Sequence, residues 1–127
     1  MAKILVVEDN PANLKLAIFL LESAGHTVLS ARDAESGITC ARSERPDLVL
    51  MDIQLPGIDG LEAIELLRRD EETRAIPVIV LTALAMKGDE ERIRAAGAIG
   101  YIAKPIRYQE FLATVAMQLE TARINAG

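Results

Sequence analysis

The sequence predicts an α/β protein, a doubly wound parallel sheet of five strands with five helices packed on its two faces. Three observations carry this. Short aliphatic runs alternate five times with stretches of helical period. The central runs, Leu48-Val49-Leu50-Met51 and Val78-Ile79-Val80-Leu81, are apolar at every position, as strands covered on both faces must be. The length, 127 residues, suits one such unit around one core.

Each element has its own justification. Ile4-Leu5-Val6-Val7 reads as a buried strand, and Asn10-Pro11 as the N-cap and first residue of the helix that follows. Leu14, Ala17, Ile18 and Leu21 mark that helix's inner face, and Gly25 ends it. Thr27-Val28-Leu29-Ser30 is a modest second strand. Asp33 caps a second helix with Ile38 and Ala41 inward, and Pro46 forbids its continuation. After the third strand, Asp59 and Glu62 form a capping box for a helix with Leu61, Ile64 and Leu67 on its apolar face. After the fourth strand, a helix from about Lys87 to Ala96 closes at Gly97. Tyr101-Ile102-Ala103 is the last strand, and Tyr108, Phe111, Leu112, Val115 and Leu119 mark the last helix. Right-handed crossovers and five strands favour the flavodoxin-like order 2-1-3-4-5. A single domain over 1–127, frayed over 123–127 and without an output domain, is the expectation.

Composition excludes several function classes. Fourteen Lys and Arg against nineteen Asp and Glu leave a net charge of −5, the wrong sign for gripping phosphate backbones. Aromatic residues make up 3% of the chain with no Trp, so base-stacking platforms are missing. One Cys and one His provide neither an internal disulfide nor a Cys/His metal cage, which fits a reducing, cytoplasmic setting. No apolar run approaches the length of a membrane span, and Glu8-Asp9 cuts short the only N-terminal one. Cys40 and Met51 read as core filler and His26 as an exposed residue.

Ligands of open α/β sheets sit beyond the carboxyl ends of the strands, where the strand order reverses. The residues falling there are Glu8-Asp9, Asp52, Thr82-Ala83 and Lys104-Pro105. Two carboxylates about 4 Å apart at an effective dielectric near 20 repel by roughly 4 kcal/mol, so the acidic group needs neutralising. Lys104 supplies one positive charge, and a hard divalent cation, Mg2+, suits the all-oxygen remainder. A hydroxyl at Thr82 and an ammonium at Lys104 are donors for phosphoryl oxygens. Asp52, ending the central strand, is placed to attack phosphorus and form an aspartyl phosphate.

The residues Glu8-Asp9, Leu50-Met51-Asp52-Ile53-Gln54-Leu55-Pro56-Gly57 with Asp59-Gly60, Leu81-Thr82-Ala83 and Tyr101-Ile102-Ala103-Lys104-Pro105 resemble the receiver domains of two-component response regulators over essentially the whole chain. The resemblance implies that Asp52 is phosphorylated by a histidine kinase or phosphotransfer protein. It implies Asp9 as a direct Mg2+ ligand, Glu8 as one acting through water, and the backbone carbonyl of Gln54 as a further ligand. Thr82 and Lys104 would hold the phosphoryl oxygens, Thr82 and Tyr101 would form the switch, and the Lys104-Pro105 bond would be cis. It also implies a protein partner on the face of the fourth helix, fifth strand and fifth helix, where Leu84, Met86, Tyr101 and Tyr108 are the candidates, and no nucleic acid or membrane contact. The stretches Met51 to Pro56 and Ala85 to Ile93 are most similar to single-domain receivers of bacterial cell division and polarity.

Other readings are a phosphorelay intermediate or phosphate sink in another pathway, and a receiver that docks without being phosphorylated. A haloacid dehalogenase-like phosphatase would carry a second Asp two residues after the nucleophile, where this chain has Gln54. A flavin or nucleotide carrier would need a Gly-rich phosphate loop after the first strand, where this chain has Glu8-Asp9-Asn10-Pro11.

Overall fold

The computed structural model describes residues 2–83 and 87–126, with the side chains of 87, 125 and 126 outside that description. In chain order the elements are β1 (Lys3–Val7), α1 (Pro11–Ser23), β2 (Thr27–Ala31), α2 (Ala34–Glu44), β3 (Leu48–Asp52), α3 (Gly60–Arg69), β4 (Val78–Thr82), α4 (Lys87–Ala96), β5 (Gly100–Ala103) and α5 (Tyr108–Ala126). The strands form one parallel sheet in the order β2-β1-β3-β4-β5, as the crossover rules require. The caps are those the sequence predicts. Asn10, Asp33 and Asp59 accept from the backbone N–H groups of Asn13, Ser36 and Glu62. α2 stops at Glu44, with Arg45 left-handed at φ 46° before Pro46.

Alternation along the strands divides the core in two. Ile4, Val6, Leu48, Leu50, Ile79, Leu81 and Ile102 pack with Ala17, Leu20 and Leu21 of α1 and Phe111 and Val115 of α5. Leu5, Val7, Val49, Met51, Val78 and Val80 pack on the other face with Ala34 and Ala41 of α2, Ala63, Ile64 and Leu67 of α3, and Ile93 of α4. Full burial of an aliphatic side chain stabilises by roughly 1.5–3 kcal/mol. α3 buries two such residues and an alanine, whereas Ile93 alone is fully buried among the described side chains of α4. Packing therefore holds α4 more weakly than α3.

The structure departs from the sequence reading in three places. On α1, Leu20 is buried and Ile18 is only half-buried, while Ala17 and Leu21 stay buried as expected, so the inner face is rotated modestly from the expected one. His26 is half-buried, with Nδ1 accepting from the Ala2 N–H at 3.2 Å, and burial lowers its pKa below 6.5. Tyr108 opens α5 but is 58% exposed, outside the core. The α5 helix runs to Ala126, and the Arg123 guanidinium pairs with Glu120 at 2.6 Å. Cys40 is half-buried against the α2/α3 side of the core, and burial pushes its thiol pKa up, the inert situation expected of a packing residue.

Candidate phosphoryl-acceptor site

The strand parity that divides the core also sorts the residues at the carboxyl edge. Glu8, two residues beyond Val6, Asp52, two beyond Leu50, and Lys104, two beyond Ile102, all continue the α1/α5 side of the sheet. Thr82 and Tyr101 continue the opposite side, that of α2, α3 and α4, with Val80 and Thr82 of β4 in register with Tyr101 and Ala103 of β5. One reactive triad and one neighbouring hydroxyl and aromatic pair thus arise from alternation alone.

The triad is a buried ion cluster. Lys104 Nζ lies 3.1 Å from Asp52 Oδ2 and donates to Glu8 Oε1 at 3.1 Å. Its contact with Glu8 Oε2, at 3.0 Å, lacks hydrogen-bond alignment, which leaves that buried oxygen without a hydrogen-bond donor. Glu8 is 1% exposed and Asp52 4%, so both carboxylates are removed from water. Asp52 is further fixed by the Gln54 backbone N–H, which donates to Oδ1 at 3.0 Å, and Glu8 Oε1 also accepts from the Asn10 N–H at 3.3 Å. The backbone of Lys104 is held in turn, its N–H donating to the Thr82 carbonyl at 2.8 Å, and the Lys104-Pro105 bond is cis.

Burial, joined by the charge of Asp52, pushes the Glu8 carboxyl above its ordinary 4.5, against the opposing pull of its hydrogen bond with Lys104. An acid whose pKa rises on folding binds more protons folded than unfolded, so charging it costs stability as pH climbs above 4.5. Glu8→Gln removes that cost. In denaturant titrations without divalent metal, the stability of Glu8→Gln relative to the unsubstituted protein should grow as pH rises above 4.5 and level off once Glu8 is charged in the folded state. A gap that stays constant or shrinks would mean that Glu8 is not the group being charged.

The expected metal ligands are distributed unevenly. Asp9 is exposed, its carboxylate has no partner among the described residues, and its carbonyl accepts from Arg32 Nη2 at 3.4 Å. Gln54 is exposed at the start of the loop after β3. Among the described residues no three His, Cys, Asp or Glu side chains are gathered for a metal, because Glu8 and Asp52 share the Lys104 ammonium instead. The donor set still suits a hard cation. Two carboxylates share one ammonium, Asp9 next to Glu8 in the chain adds a third, all the candidate donors are oxygens, and Glu8 Oε2 lacks a hydrogen-bond donor.

Of the expected switch and partner residues, Thr82 is buried at the end of β4 and Tyr101 is half-buried against the core on the α3/α4 side. Tyr108 is exposed on α5, and Leu84 and Met86 lie outside the described residues. The sequence reading missed Arg68 and named Gly60 only within the Asp59-Gly60 motif, because their roles depend on contacts between elements that periodicity does not reveal.

A doubly wound parallel sheet with two buried carboxylates and a lysine meeting at its carboxyl edge defines an open α/β domain with a charged site at its switch point, and the chain belongs to the response regulator receiver domain family, whose model matches residues 4–116. Receiver domains are switches of two-component signalling. The chain is similar to the polar-differentiation response regulator DivK of Brucella anthropi, with 48% identity over 119 residues, 94% of this chain and 97% of that protein. Among solved structures it resembles the receiver domain of a sensor histidine kinase from Pseudomonas aeruginosa, which has a magnesium ion coordinated in its active-site cleft (TM-score 0.86, 36% identity, 94% and 98% of the two chains). It also resembles a CheY-like response regulator receiver domain from Methanospirillum hungatei (TM-score 0.90, 28% identity, 98% of each chain).

Proposed function

We propose that the protein is a single-domain response regulator whose Asp52 accepts a phosphoryl group from a histidine kinase or phosphotransfer protein. The observation that carries this reading is the arrangement of the Asp52 carboxylate: buried, with Oδ1 tethered by the Gln54 N–H and Oδ2 beside the Lys104 ammonium. A carboxylate held in one orientation has lost the rotational freedom that attack in line with a leaving group would otherwise cost. In the transfer, an Asp52 oxygen bonds to phosphorus as the bond to the donor's leaving group breaks, and the leaving group departs with the electron pair. Lys104 then exchanges its contact with the carboxylate for one with the phosphoryl oxygens, where the charge has moved. Thr82 supplies a hydroxyl donor to the same group, and its movement together with Tyr101 alters the partner face.

Asp9, Asp52 and the Gln54 carbonyl would hold Mg2+, with Glu8 acting through water. The bound ion supplies charge neutralisation at the phosphoryl oxygens. The magnesium ion coordinated in the active-site cleft of the Pseudomonas receiver supports a magnesium site here. The similarity to DivK supports a role in cell-cycle or polarity control, exerted through protein contacts on the α4-β5-α5 face, with Tyr108 as its exposed aromatic. A cytoplasmic location fits a chain in which, among the described residues, no helix is long and apolar enough to cross a membrane. Asp52 serves as acceptor and the same site supports slow hydrolysis, so the protein works as a switch.

Intact-mass measurement after incubation with acetyl phosphate, with and without Mg2+, tests the reading. The expected result is a gain of one phosphoryl group that depends on Mg2+. No gain under either condition would overturn the phosphoacceptor function.

A further inference from the structure

Arg68 carries a half-buried charge that no carboxylate answers among the described residues. Its donors go to backbone carbonyls: Nε at 3.0 Å and Nη2 to the Gly97 carbonyl, and Nη1 to the Arg74 carbonyl. One guanidinium therefore ties the last turn of α3 to the loop before β4 and to the residue that closes α4. Gly97 is fitted to that contact. Its φ of +115° ends α4, and a Cβ there would lie 2.8 Å from Arg68 Cγ and 2.9 Å from Nε. The guanidinium adds a tie at the end of α4, a helix in which Ile93 is the one fully buried side chain among those described.

The other end of α3 sits against the phosphoacceptor's own backbone. The Gly60 N–H donates to the Ile53 carbonyl at 2.9 Å, and a Cβ on Gly60 would lie 2.2 Å from the Asp52 carbonyl oxygen. α3 is thus a short rod gripped at both ends, with Asp52–Ile53 at its start and α4 at its finish. We propose that Arg68 is a positioning residue that latches α4 to α3 and carries a conformational change at Asp52 through α3 to α4, by a route separate from Thr82 and Tyr101. This rests on the phosphoacceptor reading above for its trigger, though the latch itself does not. A rigid element held at both ends can transmit a displacement only while both grips hold, so loss of the distal grip should uncouple α4 without touching the chemistry.

The test compares the unsubstituted protein, Arg68→Ala and Arg68→Lys. Each is measured by intact mass and by amide hydrogen exchange of residues 88–98, before and after treatment with acetyl phosphate and Mg2+. Arg68→Lys keeps the charge but loses the planar fork, and it serves where the alanine variant fails to fold. The expected outcome is unchanged phosphoryl uptake, roughly tenfold faster basal exchange of the α4 amides, and at least about a halving of the phosphorylation-induced change in that exchange, with lysine intermediate. An undiminished phosphorylation-induced change in the variants would reduce Arg68 to a structural tie and overturn the proposal. Absence of phosphoryl uptake in the unsubstituted protein would instead overturn the function proposed above. The latch is then judged by basal exchange, and equal α4 protection in all three proteins overturns it.

Discussion

Replacing Asp52 with asparagine reduces phosphoryl uptake from acetyl phosphate to background while leaving the fold intact. The amide is nearly isosteric, and its Oδ1 can still accept the Gln54 N–H that now meets the carboxylate at 3.0 Å. What disappears is the anionic oxygen that must form the bond to phosphorus, and an amide is too poor a nucleophile to replace it. The effect on stability is small for a reason specific to this cluster. Removing one partner of a buried ion pair costs about 3–5 kcal/mol when it strands the other charge. Here Lys104 Nζ keeps Glu8, at 3.0 and 3.1 Å, so no cation is stranded. The variant also relieves the repulsion by which Asp52 helps to raise the Glu8 pKa. The two changes oppose each other, and the net shift in unfolding free energy should stay within about 1 kcal/mol. Intact mass and a urea titration on the same sample check both halves. Undiminished labelling would place the acceptor on another residue, and a large loss of stability would mean that Glu8 does not neutralise Lys104 by itself.

The electrostatics of this site show how far a sequence can be read. Which residues reach the carboxyl edge follows from strand endings and topology, both of which are local matters. The runs at Ile4, Leu48 and Val78, the caps Asn10, Asp33 and Asp59, and the helix stop at Gly97 are each determined by a few neighbouring residues. How the edge residues pair depends on side-chain reach. A glutamate at position 8 spans the distance to Lys104, so the ammonium sits between Glu8 and Asp52 and Asp9 is left outside the cluster. The modest rotation of α1 that buries Leu20 in place of Ile18 comes from how the helix lies across a twisted sheet, which periodicity alone does not fix. Arg68 looks like a charged residue near the end of an amphipathic helix, an ordinary exposed position. Its half-buried position and its backbone partners depend on Gly97 and Arg74, brought to it by the chain that follows α3. His26 is likewise held by the backbone of Ala2, across the β1/β2 edge.

The largest expected loss of stability comes from Gly60→Ala. Gly60 is the first residue of α3, behind the Asp59 cap, and helix propensity alone would favour alanine there by up to about 1 kcal/mol. The surroundings reverse that preference. A Cβ would lie 2.2 Å from the Asp52 carbonyl oxygen, 2.9 Å from its carbonyl carbon and 2.8 Å from Ile53 Cα. All three are backbone atoms, so no rotamer change can make room. β3, which carries Asp52, is a central strand paired with β1 and β4 and buried at every position, and it cannot yield outward. The helix must therefore move away from the strand, which lengthens the 2.9 Å bond from the Gly60 N–H to the Ile53 carbonyl and draws Ala63, Ile64 and Leu67 out of their packing. Overpacking of this kind costs typically 1–3 kcal/mol, and the backbone overlap here puts the net loss at about 3 kcal/mol or more after the propensity gain. In a chain of this size that corresponds to a fall in Tm on the order of 10 °C. Thermal unfolding followed by far-UV circular dichroism measures it. Because the loop from Ile53 to Asp59 also carries the Gln54 N–H that orients Asp52, phosphoryl uptake at a temperature where the variant is still folded should fall as well. A Gly60→Ala protein with unchanged Tm would show that the strand and α3 do not approach as closely as this structure places them.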